Sequence, residues 1–336
     1  MPDLPPRFLS GDWGTSRLRV RLVDLDTLAT LAEAESDDGI GPTFRAWQEA
    51  GSPGDREGFY LRVLAPLVDR ILEASDADAA SLTLILSGMA SATIGMRELP
   101  YAPAPLPLSG DALPTARIAP GILPCETLLV TGVRTDDDIM RGEETTLLGL
   151  AADGLTDALV ILPGTHSKHA VVRNGTLEDF HTYLTGELFA VVRDHSVLRP
   201  SLAPSPTPGA AFERGVRDAS SANLLGELFS LRAGSVLHGT PPEENAARLS
   251  GLLIGTELGG LASDSVSDLP IVVAAPEPLL SFYRAALRCL GFEARCRFIP
   301  PEDIGRAIAL GQRAILEGEP RADETDGGIG IASNTR

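Results

Sequence analysis

The sequence predicts a two-domain α/β protein. Its 336 residues, 43% of them hydrophobic, are enough for two well-filled cores. A strand–turn–strand–turn–strand pattern occurs twice, once around Gly14-Thr15 and once around Gly164-Thr165. Around and after these copies, apolar positions at helical spacing alternate with short apolar runs, the mixture expected of sheets covered by helices.

The first copy opens the chain. Phe8 and Leu9 lead into a turn, and from Arg17 onward Leu18, Val20 and Leu22 alternate with Arg17, Arg19 and Arg21, the period-2 signature of a half-buried strand. Between them lie Gly11, Asp12, Gly14, Thr15 and Ser16. Glycines let backbone N–H groups approach an anion, and Thr and Ser add donors, so this turn can wrap a phosphate. Asp12 would repel a bare phosphate, which makes sense if a divalent cation lies between them. An ordinary hairpin uses the same residue types.

The second copy separates the two readings. The apolar run 158–162 leads into Pro163-Gly164-Thr165-His166-Ser167-Lys168, followed by Val171-Val172 and an Asn174-Gly175 turn. Leu162 stands where the first copy has Asp12, so a metal would lean on the first half alone. Two such units facing each other across a cleft could hold a nucleotide's phosphates from both sides.

These residues carry a resemblance. The paired turns are similar to the two phosphate loops of the sugar kinase, heat-shock ATPase and actin superfamily. More narrowly, the chain resembles the 2-keto-3-deoxygalactonate kinases over residues 10–24, 87–100, 140–149, 163–168, 183–189 and 250–255. Met140-Arg141-Gly142-Glu143-Glu144-Thr145 and Tyr183-Leu184-Thr185-Gly186-Glu187-Leu188 point to that narrower family. The resemblance implies two ribonuclease H-like (actin-like ATPase) domains around a nucleotide-binding cleft, expected at 1–152 and 153–318, while the polar, Gly-containing and aperiodic stretch 319–336 reads as a disordered tail.

Composition excludes other classes. A net charge of −18 disfavours nucleic acid and anionic membranes as partners. No apolar run approaches the roughly 20 residues of a membrane span, and 1–8 does not read as a secretion signal. Three widely spaced cysteines, Cys125, Cys289 and Cys296, suit a reducing cytoplasm. A zinc reading of His166 and His169 lacks a third ligand at a useful spacing.

Along the chain, a third strand is expected at 28–34, a loop at 37–41, and a helix from Phe59 through Leu72 that Pro66 can kink. A buried strand at 82–86 ends at Ser87-Gly88, and Arg97 beyond it offers a fork suited to a substrate carboxylate. Residues 100–107, with four prolines, read as an extended surface segment. A strand at 127–131 and an acidic loop at 136–138 follow, and then Arg141 and a helix starting at Glu143. A linker near 151–157 precedes the second domain. Further helices are expected at 185–192, 219–232, 243–261, 279–290 and 302–316, and strands at 177–183, 270–275 and 293–298.

The function implied by the resemblance is phosphoryl transfer from ATP, with Mg²⁺, to a terminal hydroxyl of 2-dehydro-3-deoxy-D-galactonate in galactonate catabolism, in the cytoplasm. Asp12 would hold the metal. Gly14, Thr15, Ser16, Gly164, Thr165, His166 and Lys168 would cradle phosphates, and Gly186 and Glu187 would lie on the nucleotide side. Glu143 or Glu144 would act as base or positioner, with Asp12 a competitor, because a kinase needs an acid near the attacking hydroxyl. Carboxylates in a first helical turn are also favoured by the helix dipole alone. Arg97 or Arg141 would hold the substrate carboxylate. Ala274, Ala275 and Pro276 stand where relatives of the superfamily carry glycines that admit adenosine. A nucleotide or polyphosphate hydrolase of the same superfamily and a non-catalytic sugar-acid-binding regulator are the alternatives.

Overall fold

The structure is a computed structural model that describes residues 5–219, 223–262 and 266–319. Apart from Glu319, the expected tail lies outside the described residues. The chain divides into two compact units. One holds the chain up to Glu98, Ser109–Thr131 and the chain from Ala309 onward; the other holds Leu99–Leu108 and Gly132–Ile308.

The first unit begins with β1 (Arg7–Trp13), β2 (Leu18–Asp24) and β3 (Thr30–Ser36), followed by α1 (Ile40–Glu49), α2 (Arg56–Glu73) and β4 (Thr83–Gly88). The next two short strands, β5 (Ala102–Pro103) and β6 (Leu106–Pro107), belong to the second unit, and the chain then returns as β7 (Thr115–Ile118) and β8 (Glu126–Val130). The sheet order is β3-β2-β1-β4-β8-β7. The three-strand meander is antiparallel, whereas β4 runs parallel to β1 and β8 parallel to β4. Alternation in β2 works as read: Leu18, Val20 and Leu22 are fully buried, while Arg19 and Arg21 face Glu35 and Glu33 on β3. Against this sheet α2 presents Tyr60, Leu64, Leu67, Val68 and Ile71, with Pro66 inside an uninterrupted helix.

The second unit continues with β9 (Val133–Arg134), β10 (Ile139–Met140), α3 (Glu143–Ala152), β11 (Ala158–Leu162), β12 (Ser167–Arg173), β13 (Thr176–Tyr183) and α4 (Thr185–His195). Three helices follow, α5 (Ala210–Ala219), α6 (Leu224–His238) and α7 (Pro242–Leu258), then β14 (Ile271–Ala274), α8 (Leu279–Cys289) and β15 (Cys296–Ile299). The last helix, α9 (Pro301–Gly318), starts in this unit and ends in the first. The sheet order is β15-β14-β11-β12-β13-β6. Again an antiparallel meander, β11-β12-β13, carries two parallel strands on the far side of its first member. The ribonuclease H-like strand order of the actin-like ATPases therefore occurs twice. All five residues of β11 are buried, as a strand covered on both faces requires.

Each unit is assembled from more than one chain segment, and residues 132–152 belong to the second. Short strands explain part of this: β9 pairs with both β5 and β10, which binds 132–140 to the second unit. Helix packing explains more, because a Cβ on Gly149 of α3 would lie 1.8 Å from the Ala307 carbonyl oxygen. The proline-rich segment expected to be plain surface supplies β5 and β6, and β6 adds to the edge of the second sheet against β13. The stretch read as a loop at 37–41 runs into α1, and α5 is a helix that the sequence reading did not give.

Within the second unit, α5 and α7 pack so closely that a Cβ on Gly251 would sit 2.1 Å from the Phe212 carbonyl oxygen, and one on Gly215 2.3 Å from that of Arg248. The glycines of the 250–255 motif thus set a helix–helix distance. The core beside this contact is built from Phe212, Val216, Ile254, Leu258, Ile271 and Phe282.

Candidate active site

The two turns are built alike. In the first unit, Gly14 N–H donates to the Arg17 carbonyl at 2.9 Å and closes the β1–β2 turn. The start of α1 is fastened to it, with Ile40 N–H donating to Gly14 O and Gly41 N–H to Thr15 O, both at 2.9 Å. A Cβ on Gly39 would fall 2.3 Å from the Ser16 carbonyl carbon, so only glycine lets helix and turn approach this far. Trp13 is fully buried and its indole N–H donates to Asp38 O, which anchors the same junction. Thr15 and Ser16 are exposed, and Asp12 is half-buried at the end of β1, opposite Arg19 on β2 and Ser87 on β4.

In the second unit α4 stands where α1 stands in the first. Glu187 N–H donates to Thr165 O at 2.9 Å, and a Cβ on Gly186 would meet Gly164 O at 2.5 Å. The side chain of Glu187 lies 2.5 Å from Nε2 of His166. Gly164, Thr165, His166, Gly186 and Glu187 are therefore gathered at one turn.

Lys168 points back from β12 beneath this turn. Its ammonium donates to His166 O at 3.1 Å and lies 3.0 Å from Oε1 of Glu143 at the head of α3. The lysine side chain is 5% exposed and that of Glu143 28% exposed. Glu144 differs: it is fully buried, and both its oxygens accept from Gly142 N–H, at 2.9 and 2.7 Å. Burial first, and the Glu143 charge second, push its pKa up to about 8. Of the two glutamates, Glu143 is the one beside the second turn and within reach of solvent.

The two arginines have internal partners. Arg97 Nε donates to Glu57 at 2.6 Å, and its side chain is 39% exposed. Arg141 is buried, with its guanidinium 4.0 Å from the centre of the Tyr101 ring and an N–H donating to Leu99 O at 3.1 Å.

Beside the second turn lies a cavity of about 240 Å³. Its walls include Gly164, Gly186, Phe189, Ile254, Leu279 and Phe282. This apolar recess next to the second turn is formed largely by α4, α7 and α8. One residue of this region escaped the sequence reading: Glu257, buried on α7 and bonded to Ser167 and His169 of β12. Its only sequence signal was an acid inside an otherwise apolar helical stretch.

The model of the 2-keto-3-deoxy-galactonokinase family matches residues 12–304, which include both turns, Glu143 and the cavity. The chain belongs to the 2-keto-3-deoxy-galactonokinase family. It is 35% identical to the probable 2-dehydro-3-deoxygalactonokinase DgoK1 of Rhizobium meliloti (strain 1021), covering 92% of this chain and 97% of that one. It is 28% identical to the 2-dehydro-3-deoxygalactonokinase of Escherichia coli (strain K12), over 85% of this chain and 90% of that one. A crystal structure of a Sinorhizobium meliloti protein proposed to be a 2-dehydro-3-deoxygalactonokinase superposes with a TM-score of 0.76 at 31% identity, covering 92% and 99% of the two chains.

Membership in this galactonokinase family carries the kinase expectation, with ATP as phosphoryl donor, and favours it over the hydrolase and the regulator. Among the described residues no helix is long and apolar enough to cross a membrane.

Proposed function

We propose that this chain transfers the γ-phosphoryl group of ATP to the terminal hydroxyl of 2-dehydro-3-deoxy-D-galactonate, giving the 6-phosphate in galactonate breakdown. The observation that carries the reading is the family match across residues 12–304. Thr15 and Ser16 with Gly14, and Thr165, His166 and Lys168 with Gly164, hold phosphate oxygens. Gly186 and Glu187 support the second turn from α4, and the apolar cavity beside it takes the adenine ring, which needs apolar walls more than charge.

Glu143 orients the attacking hydroxyl and accepts its proton. Its partial exposure and its place against Lys168 support that role, whereas Glu144 is shut inside and bonded to Gly142. Arg97, the more exposed of the two candidate arginines, binds the substrate carboxylate, while Arg141 is engaged by Tyr101 and Leu99.

Among the described residues no group of three His, Cys, Asp or Glu is arranged to hold a metal ion. Mg²⁺ entering with the nucleotide keeps several waters and commonly uses one or two carboxylates plus phosphate. Asp12 is the carboxylate that would hold it. Bound there, Mg²⁺ would neutralise charge on the phosphates. ATP as donor and three free cysteines support a cytoplasmic setting.

The test is magnesium-dependent ADP release with a panel of epimeric 2-keto-3-deoxy sugar acids. Release that depends on one epimer supports the proposal. Release without any sugar acid would replace it with a hydrolase, and no release with any of them would leave a binding protein or another acceptor class.

A further inference from the structure

The roles proposed above leave one buried charge without a task. Glu257 is 2% exposed, and its two oxygens meet four side-chain donors from three other elements. Ser167 Oγ and His169 Nε2, both on β12, lie 2.7 and 2.9 Å from Oε1. The Tyr283 hydroxyl of α8 donates to Oε2 at 2.7 Å, and the Thr185 hydroxyl at the start of α4 donates to the same oxygen. Burial pushes this carboxyl up, but its hydrogen bonds, led by His169, outweigh that effect and hold it below the ordinary carboxylate range. The phenol of Tyr283 is pushed well up, first by burial and then by the Glu257 charge, so it remains a donor.

A well-packed apolar side chain would serve stability at least as well as a charge in this position. What the carboxylate adds is geometry. Ser167 directly follows the turn residue His166, and Thr185 directly precedes Gly186, which packs on Gly164. Thr185 and Tyr283 also line the cavity beside the turn. A single acceptor-only group thus ties the exit of the phosphate turn, the helix start that supports it and the cavity wall to one point.

We infer that Glu257 is a positioning residue for nucleotide binding, fixing through Ser167 and Thr185 where Thr165 and His166 present their donors, and through Tyr283 the adjoining wall. The inference rests on the nucleotide reading of the second turn.

The test is calorimetric titration of the full chain with ADP, together with steady-state kinetics, for the wild type, Glu257→Gln, Glu257→Asp, Ser167→Ala and Thr185→Ala. Glu257→Gln is expected to keep the fold by circular dichroism and to bind ADP ten- to a hundredfold more weakly. KM for ATP should rise in parallel while KM for the sugar acid stays within twofold. Glu257→Asp, which retains the charge, should recover part of the loss, and each alanine variant should weaken ADP binding by roughly three- to tenfold. A Glu257→Gln protein that melts earlier but binds ADP as the wild type does would make the residue merely structural and overturn the inference. Should Glu257→Gln not fold, unchanged ADP affinity in both alanine variants would overturn it equally, and weakened affinity in both would support it. A wild type that does not bind ADP removes the nucleotide reading of the turn, and the inference with it.

Discussion

Lys168 Nζ stands 3.0 Å from Oε1 of Glu143, joining the strand that leaves the second turn to the first residue of α3. The ammonium is almost wholly enclosed while the carboxylate retains access to solvent, so the pair is held from the lysine side. This contact joins two motifs more than twenty positions apart in the chain, Arg141-Gly142-Glu143-Glu144 and Gly164-Thr165-His166-Ser167-Lys168.

If Glu143 handles the acceptor proton, Glu143→Gln lowers kcat by about 10²–10⁴-fold, the usual range for a general base. ADP affinity, read by calorimetry, changes little, because the amide keeps the shape beside Lys168. Equal losses in kcat and ADP affinity would instead assign Glu143 to nucleotide binding.

Glu144 predicts a pH dependence of stability. Burial, and then the Glu143 charge, raise its carboxyl in the folded chain to about 8 from the ordinary glutamate value of about 4.5. Below about 4.5 the acid is protonated in both states and makes no difference. Between the two values the unfolded chain releases the proton and the folded chain keeps it, so stability falls as pH rises, by at most about 1.4 kcal/mol per pH unit. Above about 8 the effect levels off. Urea denaturation at pH 5, 6.5 and 8 should show this slope in the wild type and a shallower one in Glu144→Gln, whose side chain is neutral throughout.

Gly186→Ala tests the support of the second turn. The added methyl would lie 2.5 Å from Gly164 O and 2.8 Å from Thr165 Cα, closer than Cβ atoms tolerate. Helix and turn must separate, at a cost of about 1–3 kcal/mol typical of overpacking. ADP affinity is expected to fall about tenfold or more with a lowered melting temperature. Wild-type affinity in this variant would detach α4 from the nucleotide site.

Gln312 predicts a defect in stability alone. This fully buried amide on α9 donates to Gly11 O at 2.9 Å, Ile85 O at 3.2 Å and Ser87 Oγ at 2.6 Å, stitching the last helix to β1 and β4. Gln312→Leu removes those donors and leaves buried acceptors unmet, about 1–3 kcal/mol of destabilisation. A urea midpoint unchanged from the wild type would remove Gln312 from the core of the first unit.

Much of this was legible in the chain. Alternating Leu18, Val20 and Leu22 fixed the buried face of β2, because side-chain direction in a strand alternates by geometry alone. The recurrence of Gly14-Thr15 at Gly164-Thr165 announced two similar sheets, because the tight turn, the strand before it and the strand after it are neighbours in sequence. Local pattern also put Glu143 and Glu144 in the first turn of a helix.

Other features depend on encounters between distant residues. Nothing in Glu143-Glu144 distinguishes the two acids; one faces Lys168 and the other is enclosed only after α3 has packed. Glu257 reads as one more acid until Ser167, His169, Thr185 and Tyr283 converge on it. The division of the chain likewise follows from β6 pairing with β13 and from α9 crossing from one unit to the other. By itself the sequence determined the repeated strand–turn–strand units and the residues available for chemistry, since both arise from short-range periodicity and side-chain type. Tertiary structure alone decided which of those residues are charged, reachable or held, because burial and hydrogen-bond partners are set by long-range packing.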